Sequence, residues 1–252
     1  MDINNIDIKE IINIAKEAGE AILDIYQQDF SVEYKDDKSP LTEADKKSNE
    51  IICGNLRKLF PDIPILSEEN KEIYYDERKE WEYYWCIDPI DGTKEFIKKN
   101  GEFTINIALI HKNRPVLGVV YAPVLDDIYF AKKGEGAYKN DQKLPLKVNP
   151  DLSEKIYVVA SKSHLSNETQ DFIDSLDAKE IKQVSKGSSL KLCLVAEGTA
   201  DIYPRLAPTM EWDTAAADAI VRESGKMTYQ YENNEPLLYN KKDLLNPWFI
   251  VR

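Results

Sequence analysis

The sequence predicts a layered fold in two joined parts, a mixed α+β part to about residue 145 and an α/β part beyond it. Three observations carry that prediction. Residues 8–60 read as two amphipathic helices, residues 63–131 as short strands separated by turn residues, and residues 156–224 as strands alternating with helices. At 252 residues, 42% of them hydrophobic, the chain can bury roughly three quarters of its unfolded surface and needs no covalent staples. No repeat, low-complexity tract or flexible linker divides it, so the two parts are expected to form one rigid body.

Taken in order, Ile8, Ile11, Ile12, Ala15, Gly19, Ile22 and Tyr26 recur along one helix face. A charged loop, Lys35 to Pro40, follows. A second helix is predicted from after Thr42 towards Phe60, with Ile51, Ile52, Leu56 and Leu59 inward, and Pro61 stops it. Ile63 to Leu66 and Tyr83 to Ile87 read as strands, the latter ending at Asp88. Phe103 to Ile110, Pro115 to Tyr121 and Asp127 to Ala131 read as a meander, with turns at Gly134-Glu135-Gly136 and Asn140-Asp141. Beyond Pro145 come a buried strand (Ile156 to Ala160), a helix (Ser166 to Leu176) and a helix closed by Gly198 (Ser188 to Glu197). A short strand (Ala200 to Tyr203) and a helix closed by Gly225 (Glu211 to Ser224) complete the pattern.

The formal net charge is −12, from 45 acids against 33 bases. Such a field repels polyanions and argues against nucleic-acid polymers or anionic lipid as general partners. A small anionic substrate remains compatible, provided local bases or bound cations reverse the field. Cys53, Cys86 and Cys193 stand far apart and form no CxxC pair, so neither a zinc site nor a disulfide framework is indicated, and a reduced, cytoplasmic setting is expected. Met1-Asp2-Ile3-Asn4-Asn5 has no basic region followed by an apolar run, and no apolar stretch approaches the ~20 residues that span a bilayer.

Chemistry concentrates in Asp88-Pro89-Ile90-Asp91-Gly92-Thr93. Pro89 restricts the residue before it and so partly sets the direction of the Asp88 carboxylate. Gly92 permits close backbone approach, and Thr93 opens a helix through Lys94, Glu95 and Phe96 whose first N–H groups could receive phosphate. Two acids beside an anion cradle call for cations between them, and oxygen ligands suit magnesium rather than zinc. Glu68 and Glu69 follow Ile65-Leu66, Asp45 lies in Leu41-Thr42-Glu43-Ala44-Asp45, and Asp213 lies in Glu211-Trp212-Asp213-Thr214. Each also has a plainer reading. Asp213 suits a helix cap or dipole partner, Asp45 a first-turn acid with no other role, Glu68 and Glu69 a solvated turn, and Asp-Gly is a common turn signal. The spacing of Asp88 and Asp91 differs from the DxDGT pattern of haloacid-dehalogenase phosphatases, which disfavours a phospho-aspartate route. Trp81, Trp85 and Trp212 are expected in packing, and His111 in a surface turn.

Taken together, the segments resemble the inositol monophosphatase superfamily. Trp85-Cys86-Ile87-Asp88-Pro89-Ile90-Asp91-Gly92-Thr93-Lys94-Glu95-Phe96-Ile97 resembles its first signature and Glu211-Trp212-Asp213-Thr214-Ala215-Ala216-Ala217 its second, with Ala217 where glycine is usual. Asp45 and Glu68 precede them in the family's order. Asn100 to Thr104, Gly118 to Pro123, Ser161-Lys162-Ser163-His164, Gly187-Ser188-Ser189-Leu190-Lys191 and Tyr203-Pro204-Arg205 look like the bacterial CysQ branch, the 3′(2′),5′-bisphosphate nucleotidases.

The resemblance implies a layered αβαβα sandwich of the inositol monophosphatase/fructose-1,6-bisphosphatase type, with residues 1–145 carrying most metal ligands and residues 146–252 carrying Asp213 and the nucleotide contacts. It implies two or three Mg2+ ions. Glu68, Asp88 and the Ile90 carbonyl would hold one, and Asp88, Asp91 and Asp213 a second. Asp45, with Thr93 as partner, would order a weaker metal and the attacking water. Gly92 and Thr93, next to Lys94, would cradle the scissile phosphate. His164, Gly187, Lys191 and Arg205 would contact the nucleotide, with Asp213 also facing substrate, and Lys35 and Lys38 could close over the metals or simply be solvated. The implied reaction is loss of the 3′-phosphate from adenosine 3′,5′-bisphosphate to give AMP by metal-activated water. Lithium sensitivity and a peripheral place at the inner membrane would follow from the same likeness. An inositol or sugar phosphate phosphatase on this scaffold, and a non-catalytic metal- or nucleotide-binding protein, are the rival readings.

Overall fold

Asp7 opens the first helix, its carboxylate accepting from the Lys9 N–H at 2.9 Å. In the computed structural model, which describes residues 3–34, 40–70, 72–160 and 166–252, this helix, α1, spans Ile8–Tyr26 and buries Ile11, Ile14, Ala15, Ala18 and Ile22 on one face. A short antiparallel pair follows, β1 (Val32–Tyr34) with β2 (Pro40–Thr42). Helix α2 (Glu43–Leu59) packs Ile52, Cys53 and Leu56 into the same apolar cluster as α1. Leu59, expected inward, is 45% exposed. The non-helical cap residue Phe60 turns inward instead, its ring 5.4 Å from that of Trp85.

The central sheet comes next along the chain. It comprises β3 (Ile65–Ser67), β4 (Tyr83–Asp91), β5 (Thr104–His111), β6 (Arg114–Ala122), β7 (Asp127–Lys132), β8 (Gly136–Lys139) and β9 (Gln142–Lys143), in that spatial order. Two short helices interrupt it, α3 (Tyr75–Arg78) and α4 (Thr93–Ile97). Only the β3–β4 pair is parallel. Its strands read as nearly continuous apolar runs because both faces are covered. Trp85, Ile87, Ile105, Ile107 and Val119 face α1 and α2, while Tyr84, Cys86, Ala108, Ile110 and Val120 face the opposite cluster.

That opposite cluster is built by the rest of the chain. It runs through β10 (Lys155–Ala160), α5 (Asn167–Asp174), β11 (Glu180–Ser185), α6 (Leu190–Glu197), β12 (Tyr203–Arg205), α7 (Glu211–Glu223), β13 (Thr228–Gln230) and β14 (Phe249–Val251). Strands β10 and β11 pair in parallel, and β12-β14-β13 form an antiparallel sheet. The Val159 N–H donates to the Ile202 carbonyl at 2.9 Å and joins the two. Helices α6 and α7 fill the layer between the sheets, and α5 covers the outer face through Ile173. The order is therefore α-β-α-β-α, as the sequence predicts. Gly118 of β6 makes the α7 contact possible, because a Cβ there would lie 2.1 Å from the Ala216 carbonyl oxygen.

Several elements depart from the sequence reading. β4 continues to Asp91 rather than ending at Asp88, with its ladder irregular between those two residues. Pro89 has no N–H to give, so the strand bulges there and resumes. The sequence reading has no counterpart for β11: four of its six residues are polar, Ile181 and Val184 stand three apart without alternation, and its apolar signal is weak. The three-residue strands β1, β2, β13 and β14 are too short to show a period. Among the described residues, no helix is long and apolar enough to cross a membrane.

Candidate active site

The site grows out of the bulge in β4. Asp88 is 1% exposed, and its Oδ1 accepts from the Ile90 N–H at 3.1 Å. The intervening Pro89 carbonyl accepts from Ser48 Oγ of α2 at 2.8 Å, which pins the bulge from behind. Gly92 then takes a φ of +93°, a left-handed conformation that turns the chain into α4. Thr93 Oγ1, at the start of α4, donates to Asp45 Oδ1 at 3.2 Å and lies 3.4 Å from the Ile90 carbonyl. Asp45 gives its other oxygen to its own helix, accepting from Thr42 N at 2.7 Å and Thr42 Oγ1 at 2.6 Å.

Helix α7 brings Asp213 to this point from far along the chain. Its Oδ2 accepts from the Met210 N–H at 2.8 Å, and carboxylate oxygens of Asp88, Asp91 and Asp213 all lie within 4.8 Å of one another. Glu68, in the 3-10 turn Glu68–Asn70 after β3, lines the same cavity as these three acids. Oxygen donors alone make up this cluster, a set suited to a hard divalent cation such as magnesium.

Electrostatics agree with that fit. Burial, reinforced by the charges of Glu68, Asp91 and Asp213, holds the Asp88 carboxyl well above its ordinary range. Burial first, then Asp91, pushes Asp213 up to about 8. Asp91 is pushed up to about 6, again chiefly by burial, against the opposing pull of the Lys191 ammonium. Asp45 is raised as well, by burial foremost. Crowded buried acids of this kind are costly as bare charges and are relieved by a cation.

A cavity of about 600 Å³ opens over the cluster, lined by Glu68, Asp88, Ile90, Asp91, Gly92, Thr93, Lys94 and Asp213 on one side. Gly187, Ser188, Ser189, Lys191 and Arg205 line the other. Lys191 is 7% exposed, gives its Nζ to the Ser188 carbonyl at 2.6 Å and has a pKa lowered to about 8, chiefly by burial. Arg205 donates to the Pro208 carbonyl at 2.8 Å and keeps a buried Nε without a protein partner. Acids and bases thus face each other across one space, a basic wall within a chain of net charge −12.

The sequence profile of the inositol monophosphatase family matches residues 6–248, almost the whole chain. The chain belongs to the inositol monophosphatase family. Among family proteins, the 3′(2′),5′-bisphosphate nucleotidase CysQ of Salmonella typhimurium is 43% identical over 246 residues, covering 97% of this chain and 98% of its own. The protein of the same name from Escherichia coli K12 is 42% identical over 247 residues, with the same coverage. Of solved structures, CysQ from Bacteroides thetaiotaomicron superposes with a TM-score of 0.86 at 47% identity, covering 97% of this chain and 96% of that one. A Thermotoga maritima IMPase superposes with a TM-score of 0.79 at 27% identity, covering 97% and 91%.

Among the described residues, the site residues expected from the sequence are brought together at this cavity, apart from Asp45, which stands behind it and reaches it through Thr93. His164, with Lys35 and Lys38, lies outside the described residues. One Asp45 oxygen accepts from Thr42 at the start of α2 and the other from Thr93. Glu68, read also as a solvated turn residue, is half-buried. Trp85 and Trp212 are buried, and Trp81 packs on Tyr84 at 5.8 Å. His111 closes β5 with its ring stacked 4.4 Å from Tyr83. Sequence reasoning gave no role to Glu102, Ser188 or Ser189, which also line the cavity. Glu102 and Ser189 find partners more than eighty residues away, Gly187 and Asn106, and neighbouring residues carry no trace of that pairing.

Proposed function

We propose that this chain is a magnesium-dependent 3′(2′),5′-bisphosphate nucleotidase that removes the 3′-phosphate of adenosine 3′,5′-bisphosphate, yielding AMP and phosphate. One observation carries the reading: an oxygen-only acidic cluster and a basic wall bearing Lys191 and Arg205 share one cavity, as a substrate with two separated phosphates requires. Relatives of 42–43% identity over nearly the full chain bear that enzyme's name.

On this reading Asp88, Asp91 and Asp213, with Glu68 and the Ile90 carbonyl, hold two or three magnesium ions. Bound magnesium supplies charge neutralisation for the transferring phosphoryl group and acidifies water. Thr93 Oγ1, fixed as donor to Asp45, offers its lone pairs to the attacking water. Asp45, buried and raised in pKa, can take up the proton passed through that hydroxyl. The backbone at Gly92 and Thr93, with Lys94, holds the scissile phosphate. Lys191, Arg205 and Gly187, joined by His164, hold the nucleotide's other end. Residues 1–145 then contribute most of the metal ligands and residues 146–252 Asp213 and most of the recognition, meeting at the cavity. A cytoplasmic place is consistent with three buried, unpaired cysteines.

Phosphate release from adenosine 3′,5′-bisphosphate, inositol 1-phosphate and fructose 1,6-bisphosphate, each with magnesium, tests the reading. The nucleotide is expected to give the highest kcat/KM. Preference for either of the others replaces the substrate assignment, and release from none with retained nucleotide binding replaces the enzyme reading. Lithium is expected to inhibit in the same assay.

A further inference from the structure

Glu102 lines the cavity, and its side chain is 22% exposed. By charge alone, a carboxylate there opposes a ligand that carries two phosphates. Its contacts give it a different role. Glu102 Oε2 accepts from the Gly187 N–H at 2.9 Å, and its Oε1 accepts from Lys186 Nζ at 3.3 Å. A Cβ on Gly187 would fall 2.7 Å from the Glu102 carbonyl oxygen and 3.0 Å from Glu95 Cγ. The loop before α6 therefore docks here through bare backbone, and a side chain at that position would push it away.

On its other side Glu102 is tied to α4. Its N–H donates to Asn100 Oδ1 at 2.9 Å, and the Asn100 N–H donates to the Glu95 carbonyl at 3.2 Å. A Cβ on Gly92, at the start of that helix, would lie 3.4 Å from the same Glu102 carbonyl oxygen. One residue thus abuts both Gly92, in the proposed phosphate cradle, and Gly187, in the proposed nucleotide loop. Beyond Gly187 the loop continues to Ser188, which takes a φ of +49° and whose carbonyl accepts from Lys191 Nζ at 2.6 Å. A non-glycine residue in that conformation is held there by its surroundings, here by the docked loop on one side and α6 on the other.

We infer that Glu102 is a positioning residue for substrate recognition: anchored to α4, it holds the Gly187 N–H and so fixes the nucleotide loop, with Lys191, at a set distance from the phosphate cradle. That distance selects a ligand whose two phosphates are spaced to match. The inference rests on the reading of Gly187 and Lys191 as nucleotide contacts. Glu102 touches no substrate in this role. It acts through the reach of its carboxylate, against the cost of its charge.

Steady-state kinetics on adenosine 3′,5′-bisphosphate with magnesium, and isothermal titration with AMP in the same buffer, test it. Both are applied to the full chain and to Glu102→Ala, Glu102→Asp and Glu102→Gln. Glu102→Asp keeps the charge and loses the reach, whereas Glu102→Gln keeps the reach and loses the charge. Glu102→Ala and Glu102→Asp are expected to raise the nucleotide KM and the AMP Kd about tenfold, the worth of a hydrogen bond to a charged acceptor. Their kcat should change by less than about twofold. Glu102→Gln should stay within about threefold of the unsubstituted chain in both measurements. If Glu102→Ala does not fold, Glu102→Asp and Glu102→Gln carry the comparison. A lowered KM in Glu102→Ala shows that the carboxylate acts by its charge on the ligand and overturns the inference. A KM within about twofold of the unsubstituted chain in the folded Glu102→Ala and Glu102→Asp variants overturns it as well. Glu102→Gln as impaired as Glu102→Ala assigns the effect to the Lys186 ion pair and overturns the hold on Gly187. An unsubstituted chain that neither hydrolyses the nucleotide nor binds AMP overturns the substrate reading itself, and this inference with it.

Discussion

Asp45 and Asp213 show how one carboxylate can serve a helix and a site together. Each sits in the first turn of its helix and takes a backbone N–H at 2.7–2.8 Å, from Thr42 and Met210. Each also reaches outward, Asp45 to Thr93 and Asp213 to Asp88 and Asp91. The helix bond fixes the side chain before any ligand arrives. Thr93→Val, which removes the hydroxyl at nearly constant volume, is expected to lower kcat about a hundredfold, a typical worth for proton transfer by a positioned group. Steady-state kinetics would show it as a kcat effect with little change in KM. Asp91→Asn removes a proposed ligand and one of several like charges. Its turnover should fall about a thousandfold, while its Tm in EDTA at pH 8 should equal or exceed that of the unsubstituted chain, because crowding among buried acids is relieved.

At the scale of elements, α7 against β6 is the contact on which the site's second wall depends. Ala216 and Ala219 approach Gly118 so closely that a methyl group there would overlap the helix backbone. Gly118→Ala should therefore push α7 outward, costing about 1–3 kcal/mol as overpacking does. For a chain of this length that corresponds to a Tm lower by roughly 3–10 °C. Because Asp213 rides on α7, magnesium affinity should fall in the same variant, and calorimetry with titration would read both. The β4 bulge acts in the opposite direction. It shifts the ladder between Asp88 and Asp91, and this lets residues three apart address one site.

Across the whole molecule, the acid cluster links stability to pH and to metal. Asp213, raised to about 8, keeps a proton in the folded chain that the unfolded chain releases near pH 4. Asp91, raised to about 6, behaves likewise over a narrower window. The folded chain then binds more protons, so stability falls as pH rises. In EDTA the Tm is expected to decline between pH 5 and pH 8, with the Asp213 contribution fully present below about pH 4 and lost as pH passes its raised value. Magnesium competes with those protons, so its stabilising effect should grow over the same interval. Scanning calorimetry with and without magnesium at pH 6 and pH 8 checks this. A larger Tm gain at pH 6 would contradict it.

The sequence by itself determined the layered order of the chain and most of the acidic cluster. The apolar periods of α1, α2 and the central strands are long enough to read, and the two signature segments carry Asp88, Asp91 and Asp213 in recognisable company. Local chemistry also foretold caps at Thr42 and turns at Gly92, because those depend on neighbours in sequence. Only the tertiary structure decided that these acids meet, that Asp45 divides its oxygens between helix and Thr93, and that Ser189 reaches Thr104 and Asn106 of the central sheet. Edge strand β11 and the short strands β1, β2, β13 and β14 leave no such trace, since they gain their order from partners rather than from a pattern of their own. The physical reason is the same throughout. Periodicity and capping are short-range and leave a trace in neighbouring residues, whereas a site assembled across a sheet and a helix layer depends on register and close approach.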